Sequence, residues 1–127
     1  MAQYDRPAIC DNNVREASFM GIANEKAALF SFLVNMGFKD YFARMNVRLR
    51  GVVPKRQVSE TDPRDTYEIA SGKMRQTDNV ILKFYMKNGD PNSNLPFLVD
   101  VFLTDGTYLN KWLVENGFAN KFTRPTE

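Results

Sequence analysis

The apolar positions of this chain fall into short runs, most of them alternating, with helical spacing in two places. Residues 16–23 (EASFMGIA) and 26–36 (KAALFSFLVNM) are apolar and aromatic runs on either side of Asn24 and Glu25, the spacing of a β-hairpin. Residues 42–53 (FARMNVRLRGVV) alternate, which places Val47, Leu49 and Gly51 on one face of a third strand and Arg44, Asn46, Arg48 and Arg50 on the other. The polar linker PKRQVSETDPRD comes next, and Asp62 before Pro63 predicts a helix start there. A helix over residues 63–76 sets Tyr67, Ala70 and Met74 on one side, with Gly72 lowering its propensity. Residues 79–87 and 95–103 flank the turn-rich NGDPNSN and predict a second hairpin. Asp105 and Gly106 end that strand. Thr107 is placed to cap a last helix carrying Leu109, Trp112, Leu113 and Asn116, which Gly117 terminates.

The resulting order, β-β-β-α-β-β-α, contains no running βαβ alternation. It predicts a mainly β, α+β protein: a five-stranded OB-fold Greek-key barrel with a helix after the third strand and a C-terminal helix. The length of 127 residues suits a single core. Residues 1–15 show no apolar period and are expected to form an N-terminal arm, and residues 16–127 one domain.

Composition narrows the chemistry. No stretch approaches the roughly 20 apolar residues of a membrane helix, and the N-terminus has neither the basic start nor the apolar segment of a secretory signal, so a cytoplasmic location is expected. One cysteine, Cys10, and no histidine argue against an internal disulfide and against zinc, and no metal or cofactor is expected. Acid–base chemistry near neutrality would then need a perturbed carboxylate or lysine. A net charge of +2 and a pI near 8.7 are only mildly basic, so binding of nucleic acid would have to come from clustering.

The densest basic cluster is Arg44, Arg48, Arg50, Lys55 and Arg56. With Tyr41, Phe42 and Phe30 or Phe32 nearby, it reads as the groove-and-stacking surface on which OB folds hold single strands. The same residues also read as a solvated strand face, offset by Asp40, Glu60 and Asp62. Phe84, Phe102, Trp112 and Phe118 recur at core spacing. Asp100 stands in an apolar strand and is expected to face water while Val99 and Val101 face inward. Phosphate loops, Ser–His or Cys–His pairs and CxxC motifs are absent.

Two segments carry a family resemblance. The run VDVFLTDGTYLNKWLVENGFANKF, with Leu113, Val114, Gly117, Ala119 and Phe122, is similar to the last strand and helix of staphylococcal-nuclease-like domains. LVNMGFKDYFARMNVRLRG resembles phage and bacterial members in which an LGF turn precedes a VRLxG strand. With VILKFY, the resemblance covers about residues 20–123. It implies the OB barrel and a phosphodiesterase site, and the departures from the family pattern fall in that site. Lys26, Ala27, Ala28 and Leu29 stand where the family's DGDT turn supplies a metal-binding Asp, and Val52, Val53, Pro54, Lys55 and Arg56 where it carries an IDTPE-like stretch. Asn94, Leu95 and Pro96, or Phe97, replace its second catalytic Arg, and only Arg48 matches a catalytic position. Lys26 and Arg56 would repel a hard cation where carboxylates should hold it.

The expectation is therefore a catalytically inactive nuclease-like module, not an enzyme. It would bind single- or double-stranded nucleic acid, or a protein associated with it, through Arg44, Arg48, Arg50, Lys55 and Arg56. The alternative is a protein-interaction module of the kind found in phage, an effector or inhibitor of a host enzyme or a subunit of an assembly, with no affinity for nucleic acid. A third reading, a nuclease with displaced ligands, would use Asp40, Asp62 or Asp65. Nothing in the pattern sets an oligomeric state.

Overall fold

A computed structural model of the protein describes residues 13–37, 41–85 and 97–122. The chain is mainly β, with two helices. Five strands close into a barrel: β1 (Val14–Asn24), β2 (Leu29–Asn35), β3 (Phe42–Leu49), β5 (Val80–Tyr85) and β6 (Phe97–Leu103), in the order β1-β2-β3-β6-β5. All neighbours are antiparallel except β3 and β6, which run parallel from Val47 opposite Phe97 to Leu49 opposite Val99. This arrangement is consistent with an OB-like α+β fold. Outside the barrel lie a ribbon of β4 (Val52–Pro54) and β7 (Ala119–Lys121), and the helices α1 (Thr66–Met74) and α2 (Leu109–Glu115). Among the described residues, no helix is long and apolar enough to cross a membrane.

Alternation in the strands builds the core. Phe30, Phe32 and Val34 of β2 face Val47 and Leu49 of β3, Val80 and Leu82 of β5, and Val99, Val101 and Leu103 of β6, all buried. Tyr67, Ala70 and Met74 of α1 join that cluster from one side, and Leu109 and Leu113 of α2 from another. Phe84, Trp112 and Phe118 pack against it half-buried, as their spacing predicts. Phe102 does not join them: it stacks on Tyr108, with ring centroids 4.9 Å apart.

Several boundaries differ from the expectation, each for a local reason. β1 begins at Val14, inside the segment read as an arm, because Val14 to Ala17 pair with Lys83 to Val80 of β5. The strand expected over residues 42–53 breaks at Gly51, whose φ of +76° lies where an L side chain is strained. Beyond that break, β4 leaves the barrel to pair with β7, which the sequence did not announce. As a result α1 comes after β4. The helix itself starts at Asp65 and not at Asp62. The Asp65 side chain accepts from the Glu68 amide while Glu68 reaches back to the Asp65 amide, a reciprocal cap that is stronger than the proline signal. Asp62 instead receives the Arg64 guanidinium at 2.9 and 2.7 Å, which holds its carboxyl down at about 2. The N-cap of α2 is Tyr108, without a side-chain capping bond, and not Thr107. Gly117 ends α2 as expected, at φ +77°.

Asp65→Ala should cost about 1 kcal/mol of stability in urea unfolding, the usual loss for an N-cap, and Asp62→Ala should change it little. Equal losses at both positions would contradict the assigned helix start.

Candidate functional site

The outer face of β3 carries the arginines. Arg44 lies opposite Leu33 of β2, and its NH1 reaches Ser31 Oγ at 3.3 Å. Arg48 lies opposite Leu98 of β6, and its Nε donates to the Ala27 carbonyl at 2.8 Å. That carbonyl belongs to the β1–β2 turn, where Ala28 takes a left-handed φ of +58° and the Tyr67 hydroxyl donates to the Glu25 carbonyl at 2.7 Å. Arg48 and Tyr67 thus reinforce a turn that its own residues close through the Ala28 amide on the Glu25 carbonyl at 3.2 Å and the Ala27 amide on Asn24 Oδ1 at 3.1 Å, and that holds Ala28 in a strained conformation.

Arg50 extends β3 by one step, its amide donating to the Val99 carbonyl at 2.8 Å before Gly51 turns the chain away. Its side chain forks onto Asp100 of β6, Nε to Oδ1 at 3.2 Å and NH2 to Oδ2 at 3.0 Å. The Tyr85 hydroxyl adds a bond to Oδ2 at 2.9 Å, and the Tyr108 hydroxyl one to Oδ1 at 2.8 Å. From the described residues the carboxylate thus accepts four hydrogen bonds. Asp100 does point away from the core, with Lys83 of β5 opposite it, but it is buried beneath its partners, contrary to the expectation that it faces water. An ionised group so placed is tolerable only because each oxygen is paired twice.

The network shifts its own members. The bond to Asp100 raises the already high pKa of Arg50. Burial first, and then the Asp100 carboxylate, push the Tyr108 hydroxyl from its ordinary 10 up to about 12. A raised folded value means the contribution of Tyr108 is complete below pH 10 and is lost as the pH climbs through 12. At neutral pH, Tyr108 therefore stays a donor.

The structure divides the five cations of the sequence cluster between two settings. Arg44, Arg48 and Arg50 share the outer barrel face with Lys83, whose ammonium lies 5.4 Å from the Tyr85 ring centroid. Lys55 and Arg56 lie beyond β4, on the helical side. There the Lys55 ammonium donates to the Gly117 carbonyl at 2.9 Å, while the Lys55 amide and the Phe118 carbonyl are both bonded to Thr66 Oγ1 at 2.6 Å. Arg56 is exposed. Of the aromatic candidates, Tyr41 and Phe42 are exposed, while Phe30 and Phe32 are core residues and cannot stack on a ligand. Sequence reasoning missed Tyr85, Tyr108 and Lys83. The one signal in the sequence was the acid at position 100 in an apolar strand.

The carboxylates considered as displaced metal ligands have local roles: Asp62 holds Arg64 and Asp65 caps α1, and Asp40 lies outside the described residues. Among the described residues, no three His, Cys, Asp or Glu side chains come together to hold a metal ion. Compared with protein-family models, with curated proteins and with solved structures, the chain matches none.

Proposed function

We propose that this chain is a catalytically inactive, nuclease-like OB module with Greek-key connectivity that binds nucleic acid on the barrel face formed by β3, β6 and β5. The observation that supports this reading most is the alignment of Arg44, Arg48 and Arg50 on one face of β3, with Lys83 two strands away on the same side and an internally neutralised acid, Asp100, between them. Cations spaced along strands match the charge of a phosphate backbone and gain affinity by releasing its counterions. Of the five cations singled out in the sequence, Arg44, Arg48 and Arg50 belong to this surface, which gains Lys83 and leaves out Lys55 and Arg56.

The test is fluorescence anisotropy with labelled DNA and RNA oligonucleotides at two salt concentrations, with Ca²⁺ present. Lys83 and Arg44 are the informative positions, because among the described residues the Lys83 side chain makes no hydrogen bond and the Arg44 side chain only the long contact to Ser31. Each alanine variant should lower the slope of log affinity against log salt by about one and weaken binding to every sequence alike. Absence of binding at low salt would refute the proposal and turn attention to protein partners, and cleavage with Ca²⁺ would refute inactivity.

A further inference from the structure

The Arg50 guanidinium is held in a way that charge attraction does not require. Its Nε–NH2 edge is locked onto Asp100, and its central carbon lies over the Tyr85 ring at 4.2 Å from the centroid. One edge of the planar group is therefore bonded and an aromatic ring packs against it, yet the side chain keeps 44% exposure. That exposure leaves part of the guanidinium open to solvent, and among the described residues its hydrogen bonds to Asp100 run through Nε and NH2. An exposed arginine ordinarily samples many rotamers, whereas this one is fixed by a buried carboxylate that two tyrosines hold in place.

From this geometry we infer that Arg50 is a stacking plate for one unstacked nucleobase, so that the nucleic acid recognised on this face is single-stranded. The inference rests on the nucleic-acid reading above and adds its substrate class. A guanidinium presents a flat π surface to a base and can donate N–H groups to an adjoining phosphate. Arg48 and Lys83 lie on the strands to either side of β6 and supply charge for the neighbouring phosphates. In a duplex the bases stack on one another and offer no free face, so the plate serves only a splayed base. The Tyr85 ring, already covered by Arg50, acts as a positioning residue beneath the plate.

The experiment compares a labelled single strand, an abasic strand of the same length and a duplex, with the wild-type chain and with Arg50→Lys, which keeps the charge and loses the plane. The wild type should bind the base-bearing strand about tenfold more tightly than the abasic one, the size of one base-stacking contact. In Arg50→Lys that ratio should fall to near one, the base-bearing strand losing more affinity than the abasic one. A 2-aminopurine base in the single strand should show quenching in the wild-type complex. A wild-type ratio near one, or a ratio that survives Arg50→Lys in a variant with an unchanged melting profile, overturns the plate and leaves the charged face standing. If neither strand binds, the nucleic-acid reading falls and the plate with it. The wild-type comparison and the quenching decide the matter even if the variant does not fold.

Discussion

Asn110→Leu should lower the unfolding free energy by about 2–4 kcal/mol, the cost of leaving one buried and one half-buried backbone group without partners. The reason lies in how the barrel closes. The β3–β6 ladder ends with the Arg50 amide on the Val99 carbonyl, after which Gly51 carries the chain outward. The next group on that edge of β6, the Val101 amide, has no strand beside it, and Asn110 Oδ1 takes its place at 2.9 Å. Asn110 Nδ2 donates to the Arg50 carbonyl at 2.8 Å and to the Val99 carbonyl at 3.0 Å. A buried side chain on α2 thus finishes the sheet that β3 leaves incomplete. Leucine matches the shape of asparagine and supplies none of these bonds. The Val99 carbonyl keeps its bond from Arg50, so the loss is confined to the Val101 amide and the Arg50 carbonyl. Urea unfolding should show a lower midpoint with an unchanged slope. A loss under about 1 kcal/mol would mean that water or backbone adjustment satisfies both groups as well as Asn110 does.

Asp100→Ala should cost about 2–4 kcal/mol. The variant strips the acceptor from two tyrosine hydroxyls and leaves the Arg50 charge half-buried without its partner. The lower part of that range allows for the 44% exposure of Arg50, which lets water rehydrate the freed guanidinium. Asp100→Ala combined with Arg50→Met should be less damaging than the sum of the two single changes, since the double variant no longer holds an unpaired charge. Strict additivity in that cycle would show that the ion pair contributes nothing beyond its separate contacts. If Arg50 acts as the proposed stacking plate, Asp100→Ala should also lower the preference for the base-bearing strand over the abasic one, because the guanidinium loses the edge that fixes its plane.

These residues mark where reading the sequence succeeds and where it stops. Alternation along FARMNVRLRG was enough to send Val47 and Leu49 inward and Arg44 and Arg48 outward, because side-chain direction in a strand is a local property with a period of two. The two hairpins, the buried side of α1 and the termination of α2 at Gly117 were legible for the same reason. The end of β3 was not. Alternation carried Gly51 onto the inward face with Leu49, whereas its positive φ takes the chain out of the barrel toward a β7 whose three residues show no strand pattern of their own.

The candidate site divides along the same line. The sequence by itself determined which residues could carry charge to the surface of β3 and that position 100 held an acid among apolar neighbours. Only the tertiary structure decided that Arg50 meets Asp100 across 50 positions of chain, that Tyr85 and Tyr108 converge on the same carboxylate, and that Lys55 serves the end of α2 and not the barrel face. Local periodicity specifies the face on which a side chain stands. Its neighbours are set by strand order and register, and these arise only when distant segments pack together.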